Sequence, residues 1–164
     1  MPTQAYPSLN DFEPSWADIA TTFSVYDGSL IDMADYAAIK VSDKVEVGER
    51  RGAGPLITAR TTGQGSQEAS ATFYRGGLRK LVRGLMAKAP LRGNQRRISL
   101  VGFDILVQHT PPGESDIYVI KIKGCRLLGR SFDFKEGNEA DKVEVALNPL
   151  QIVEIIDGQE VVLI

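Results

Sequence analysis

Hydrophobic and polar residues alternate along much of this chain with a period of two. Between residues 38 and 47, apolar side chains fall on one face, and charged or hydroxyl side chains fall on the other. Such alternation is typical of a strand in a sheet that has one face in solvent. Further β-like runs occur at 67–73, 98–108, 116–123, 126–134, 142–147 and 151–156, with turn residues between them. The pattern predicts a mainly β protein of eight or nine short strands.

Two Asp-Gly pairs predict tight hairpins near both ends of the sequence. Asp27-Gly28 lies between the runs 21–26 and 29–33, and Asp157-Gly158 lies between 152–156 and 160–163. Both dipeptides suit the positive-φ positions of a tight hairpin turn. Neighbouring strands are therefore expected to pair in antiparallel fashion.

One segment has a helical period instead. Its apolar residues recur at spacings of three and four and form one stripe: Leu78, Leu81, Val82, Leu85, Met86 and Ala89. Pro90 follows, and it disfavours a helical conformation in the residue before it. We expect one α-helix from about 74 to 89, with Arg79 and Arg83 facing outward. The predicted fold is an antiparallel β-barrel or sandwich with this helix on its flank.

Two segments lack a clear period. Residues 1–20 carry three prolines and are interpreted as an arm, whose Phe12 and Trp16 pack on their own domain or reach a neighbouring copy. Residues 48–60 contain three glycines and a proline together with Arg50 and Arg51, which predicts a long exposed loop. We interpret residues 21–164 as a single β-barrel domain that includes this loop.

The charge is unevenly distributed, although the net charge is only −2. Residues 1–39 include acidic residues but no lysine or arginine, whereas residues 69–103 include basic residues but no Asp or Glu. Such a chain either satisfies its charges internally or presents complementary patches to copies of itself.

The sequence offers little chemistry. Cys125 is the only cysteine and His109 the only histidine, so no intrachain disulfide or cysteine-based metal site forms, and a reducing compartment is expected. Gly63-Gln64-Gly65 lacks the third glycine of a dinucleotide-binding loop, because Glu68 stands in its place. Residues 124–131 have the spacing of a phosphate-binding loop, but the sequence after them alternates like a strand. We predict no catalytic residue, cofactor or metal site.

The basic segment 75–97 remains as a candidate binding surface. It lacks an interleaved aromatic platform apart from Phe73 and Tyr74, so contact with an acidic protein surface is favoured over recognition of nucleic acid. No run approaches the roughly 18 apolar residues of a membrane span, and we expect a soluble protein without a membrane anchor.

The order of these parts resembles the tube proteins of phage tails and the related tube proteins of type VI secretion and contractile injection systems. The resemblance rests on the strand 35–47, the loop 48–60, the strand 67–73, the single helix and the late segment IKGCRLLGRSFDFKEGNEADKVEVALNPLQIVEI. It implies a structural virion protein without enzymatic activity, located in the phage tail.

The resemblance further implies rings, expected to contain six copies, that stack into a hollow conduit for DNA or protein. DNA would pass through the lumen without sequence-specific binding, and a contractile sheath or other tail proteins are the further partners. Contacts between rings or subunits are expected at Trp16, Arg50, Arg51, Arg79 and Arg83. The alternatives are a secretion-system tube, a β-barrel that binds nucleic acid through residues 75–97, and an enzyme with an unrecognised site.

Overall fold

The computed structural model describes residues 19–25, 28, 30–31, 36–52, 57–61, 63–110, 117–134 and 141–162. The strands are β1 Ile19–Val25, β2 Leu30–Ile31, β3 Tyr36–Val45, β4 Gly48–Arg51, β5 Ile57–Thr61, β6 Gly65–Tyr74, β7 Leu91–Arg92, β8 Gln95–Arg96, β9 Phe103–His109, β10 Tyr118–Phe132, β11 Lys142–Asn148, β12 Gln151–Ile156 and β13 Gln159–Val161. The helix α1 spans Arg75–Met86, and a 3-10 turn spans Ile98–Leu100.

The strands form two antiparallel layers that share β10. Sheet A has the order β2-β1-β9-β10-β12-β13, and within it β9 and β12 pair with residues 118–125 of β10. Sheet B has the order β10-β11-β6-β3 and uses residues 126–132 of the same strand. The described strands do not close into a barrel, so the molecule is the sandwich of the two predicted alternatives.

The core lies between the two sheets. Phe23 on β1 and Phe73 on β6 meet there, with ring centroids 6.0 Å apart. On β11 the alternation buries Val143, Val145 and Leu147 and exposes the residues between them, as the sequence pattern predicts. Burial of these apolar faces is the main favourable contribution to folding.

Helix α1 lies against the same core through Leu78, Leu81 and Leu85. It also lies close to β2, because a Cβ added to Gly84 would come within 2.9 Å of Ile31. The predicted single flanking helix is confirmed; it ends at Met86 and continues as a turn to Ala89, just before Pro90. Both predicted end hairpins form, as the antiparallel pairs β1–β2 and β12–β13. Asp157 and Gly158 have φ angles of 51° and 76°, as a tight turn requires, and Gly28 has a φ of 83°, whereas Asp27 lies outside the described residues.

Four details differ from the sequence prediction. The runs 116–123 and 126–134 belong to one strand, because Gly124 at φ 65° forms a bulge instead of a turn. The predicted loop 48–60 contains a paired hairpin, β4–β5. The start of the run 98–108 is a 3-10 turn, and β7–β8 form a small hairpin within the basic segment.

Arg96 stabilises the end of α1. Its Nη1 donates hydrogen bonds to the carbonyl oxygens of Met86, at 3.1 Å, and of Ala89, at 3.3 Å. The last carbonyls of a helix have no partner within the helix, and a cation at this end also interacts favourably with the helix dipole. Arg96, which belongs to the basic segment 75–97 considered above as a binding surface, therefore has a structural role.

Arg96→Ala should lower the free energy of unfolding by about 1 kcal/mol, because two carbonyls lose a charged donor at a partly exposed site. Arg92→Ala, in the same β7–β8 hairpin, is the matched control and should change it by less than about 0.5 kcal/mol. Urea denaturation followed by circular dichroism measures both. Equal effects of the two substitutions would contradict the capping role.

Candidate assembly surfaces

The predicted basic positions lie on two separate elements. Arg79 and Arg83 are exposed on α1, four residues apart and therefore on the same face, opposite the leucine stripe. Arg50 and Arg51 are exposed on β4. Because the β4–β5 hairpin precedes β6 and α1 follows it, the two pairs attach to opposite ends of that strand. Trp16 lies outside the described residues.

The β4–β5 hairpin extends the ribbon of β3 and β6 beyond the sandwich. At a strand rise of about 3.4 Å per residue, Arg51 lies up to about 20 Å beyond Val45. The base of the hairpin is tight: Glu46 N donates to Gln64 O at 3.1 Å, and a Cβ on Gly63 would lie 1.1 Å from Glu46 O. Gly63 therefore allows a close approach of two backbone segments, and the glycine-containing stretch 63–65 is a turn and strand start instead of a phosphate-binding loop.

Sheet B has an open edge on each side within the described chain. Among the described strands, β3 pairs only with β6, and residues 126–132 of β10 pair only with β11. The outer side of each of these two strands is therefore unpaired. Free edges present unpaired N–H and C=O groups, which are competent to pair with another chain. The four strands alternate in direction, so β3 and β10 run in opposite directions. A copy placed beside the first by rotation would thus continue an antiparallel sheet.

The face of sheet B that points away from the core is polar and carries small residues. One row across it consists of Lys40, Ser70, Ala146 and Gly129, which occupy successive paired positions on β3, β6, β11 and β10. No large apolar side chain stands in this row. The face is suited to contact with water.

Two large apolar side chains are strongly exposed at opposite ends of the sandwich. Leu150, 81% exposed, follows the end of β11, and Phe134, 76% exposed, follows Phe132, whose partner Val143 lies near the start of β11. Leu150 is held in place by a backbone hydrogen bond, in which its N–H donates to Lys123 O at 2.9 Å. Its side chain also lies close to the backbone of Gly124, because a Cβ added to that glycine would come within 2.8 Å of Leu150 Cβ.

A line of stacked groups runs along the end of β10. The Arg130 guanidinium carbon lies 5.5 Å from the ring centroid of Phe132, whose ring stacks on Phe134 with centroids 6.3 Å apart. Arg75 covers Phe134 at 4.8 Å and forms an ion pair of 3.1 Å with Asp141. Sequence reasoning missed this cluster, although the alternation from Arg130 to Phe134 already places Arg130, Phe132 and Phe134 on one face of the strand.

The described residues contain no arrangement that points to catalysis. They hold no group of three or more His, Cys, Asp or Glu side chains that could bind a metal ion. His109 ends β9 beside Tyr118, at 6.1 Å between ring centroids, and its buried Nε2 has no hydrogen-bond partner among the described residues. Within the described part of the chain, no helix has the length and apolar character needed to cross a bilayer.

Cys125 lies in the core and is fully buried. Burial, with a smaller contribution from the Asp104 carboxylate, raises the pKa of its thiol from 9.0 to about 12. A thiol with such a pKa is a poor nucleophile and a poor metal ligand at neutral pH.

Comparison with known proteins shows the fold. No family model and no curated protein sequence matches the chain. Solved structures with a similar fold include a chain of the PVC extracellular contractile injection system sheath–tube complex, with 13% identity over 86% of this chain and 88% of that chain and a TM-score of 0.54. They also include the SPP1 tail tube, with 16% identity, 89% of this chain, 82% of that chain and a TM-score of 0.52, and an Hcp protein, with 10% identity, 87% of this chain, 93% of that chain and a TM-score of 0.51. The chain therefore has the tail-tube-like fold that the sequence resemblance predicts.

Gly63→Ala should displace the β4–β5 hairpin, because the new Cβ would overlap the Glu46 carbonyl oxygen. We expect a loss of about 1–3 kcal/mol in unfolding free energy, or faster proteolysis of residues 48–61 if the hairpin yields first. Gly129→Ala is the control, since a Cβ there meets nothing within 4 Å. Wild-type stability and proteolysis of Gly63→Ala would refute the tight approach.

The Cys125 thiol should resist maleimide or disulfide reagents at pH 8 in the folded protein and react on unfolding. Because the folded-state pKa is above the unfolded value, the unfolded state loses its proton first, and stability should fall as the pH rises above about 9. Thiol labelling with and without urea tests the first point. Rapid labelling without urea would contradict it.

Proposed function

We propose that the chain is a structural subunit of a tail tube: copies join side by side into a ring, and rings stack into a hollow conduit. The observation that carries this proposal is the pair of open edges on sheet B, with an even number of alternating strands between them. Pairing β3 of one copy with β10 of the next is a heterologous contact, and repeated rotation closes such contacts into a ring. Closure would satisfy the backbone groups on both edges.

A ring of six, as the resemblance implies, would contain a barrel of 24 strands, since each copy contributes the four strands of sheet B. At a strand spacing of about 4.8 Å and a tilt of about 40°, its backbone diameter would be roughly 45–50 Å. Barrels of this size keep an open channel. The polar face with Lys40 and Ser70 would then line the channel, and the helix would lie outside.

Stacking of rings is the role we assign to the hairpin with Arg50 and Arg51. It extends from one end of the sandwich, and the same end carries Leu150, whereas the stacked phenylalanines lie at the other end. In a head-to-tail stack, each ring would thus bury apolar groups of the next. Delivery of a phage genome is the transport function we favour, and passage of protein in a secretion or injection system is the alternative.

The sequence places Arg79 and Arg83 among the expected contacts between rings or subunits. Because α1 would lie on the outside of the proposed ring, we assign them instead to an acidic protein surface outside the tube, such as a sheath subunit. Nucleic-acid binding through residues 75–97 is less well supported by their geometry. Arg75 is engaged by Asp141, and Arg96 caps the helix, so two of the segment's arginines already have partners. A conduit requires no active site, consistent with a non-enzymatic role.

Wild-type protein should form rings and tubes as its concentration rises, which negative-stain microscopy and sedimentation velocity would record. Persistence as a monomer at high concentration would contradict the proposal. Binding to DNA that weakens steeply with added salt would favour the nucleic-acid alternative instead.

Arg50→Glu combined with Arg51→Glu should shorten or abolish tubes and leave rings and folding intact, because the reversed charges lie only on the hairpin. Arg79→Glu combined with Arg83→Glu carries the same charge change on the helix and should leave tube length unchanged. Tubes of wild-type length from the hairpin variant would assign stacking to another surface.

A further inference from the structure

A groove of about 370 Å³ opens on one flank of the sandwich, between β3 and the β12–β13 hairpin. Its walls include the apolar side chains of Val41, Ile120, Ile152 and Val161, together with the carboxylates of Asp43 and Glu154. Ile120 and Val161 are 39% and 46% exposed. The inward face of sheet A therefore continues past the end of the buried core and stays uncovered by the described residues.

The two carboxylates give this groove a defined chemistry. Asp43 lies on the same face of β3 as Val41, and Glu154 is paired with both Ile120 and Val161 across neighbouring strands. Neither carboxylate forms an ion pair with another described residue. A cation on an apolar stem suits such a groove, because its methylenes cover the apolar walls while its head reaches the carboxylates.

Such a cation lies on the opposite edge of sheet B, across from β3. Arg130 is exposed on the open edge of β10, and its guanidinium is held over Phe132 instead of a described carboxylate. Arg130 and Phe132 pair with Val145 and Val143, so both belong to the inward face of sheet B, the face that also carries Asp43. One flank therefore has an arginine beside an aromatic ring, and the other has an apolar groove with two carboxylates.

We propose that the Arg130–Phe132 edge of one copy seats in the Asp43–Glu154 groove of the next copy, which sets the register of the lateral contact. This inference rests on the ring proposed above. Within one copy, Arg130 is level with Ile39 through Val145 and Ala71. Strands tilted by about 35–45° shift the register by roughly four to six residues over four strands, and a shift of four brings Arg130 level with Asp43.

The contact is also expected to be stronger than an ordinary surface ion pair. Its carboxylates stand beside apolar walls that the arriving strand would cover, and removing water increases the attraction between opposite charges. Leaving a carboxylate in the closed groove without its partner would be costly for the same reason.

Charge reversal provides the test. Arg130→Glu should raise the concentration needed for half-maximal ring formation by at least about 30-fold, because a third carboxylate would meet those of Asp43 and Glu154 in the groove. Arg92→Glu, an identical charge change on the β7–β8 hairpin, should have little effect. Circular dichroism and thermal melting establish that both variants fold. Adding Asp43→Arg to Arg130→Glu in one chain should restore assembly, since every lateral contact then has opposite charges again.

A cross-linking measurement separates this inference from the ring itself. Arg130→Cys combined with Asp43→Cys, treated with a short bismaleimide, should give a ladder of covalent oligomers, while the buried Cys125 stays unlabelled. A ladder without closed rings would support the lateral contact and contradict the ring. Rings that form without cross-linking, and that tolerate Arg130→Glu, would overturn the groove contact and leave the tube proposal standing. Absence of both rings and cross-links would overturn both.

Discussion

The need to satisfy backbone hydrogen bonds at the edges of sheet B is the constraint on which the rest of this structure depends. Sheet A and α1 cover one face of that sheet and bury its apolar side chains. The edges are not covered by a helix or another strand in the described chain. A sheet with one buried face and two long open edges is prone to extension by another copy, because solvated edges remain available to pair with any other strand.

β10 makes this arrangement possible, because one strand belongs to both layers. Its first half pairs with β9 and β12, and its second half forms an edge of sheet B. The change of sheet occurs at Gly124, whose N–H donates to Asp104 Oδ1 at 2.8 Å and whose positive φ is strained for other residues. The bulge thus frees the second half of the strand from sheet A and also supports Leu150, so an edge and an exposed end originate from one local distortion.

The sequence predicted the elements well and their combination less well. Alternation identified the buried face of β11, the leucine stripe identified α1, and Asp157-Gly158 identified its hairpin, since each of these signals is local. Gly124 was ambiguous because a positive φ serves a turn or a bulge equally, and only pairing with β9 and β12 decides between them. The groove could not be predicted, because Asp43 and Glu154 come from strands more than a hundred residues apart. Arg96 was grouped with the surface bases because its carbonyl partners depend on the fold of the β7–β8 hairpin.

The residues on β3 show how an open edge can be selective. Lysines and inward-pointing charges on an edge strand discourage pairing with unsuitable strands, and β3 carries Lys40 and Lys44 on its polar face and Asp43 on its inward face. An arriving strand without a suitable cation would place apolar groups against that carboxylate and leave the charge without compensation. In the proposed ring, Arg130 supplies the compensation. The Asp43 side chain would then penalise incorrect pairing and stabilise the correct one, so that a sheet with free edges remains monomeric until it meets its own copy.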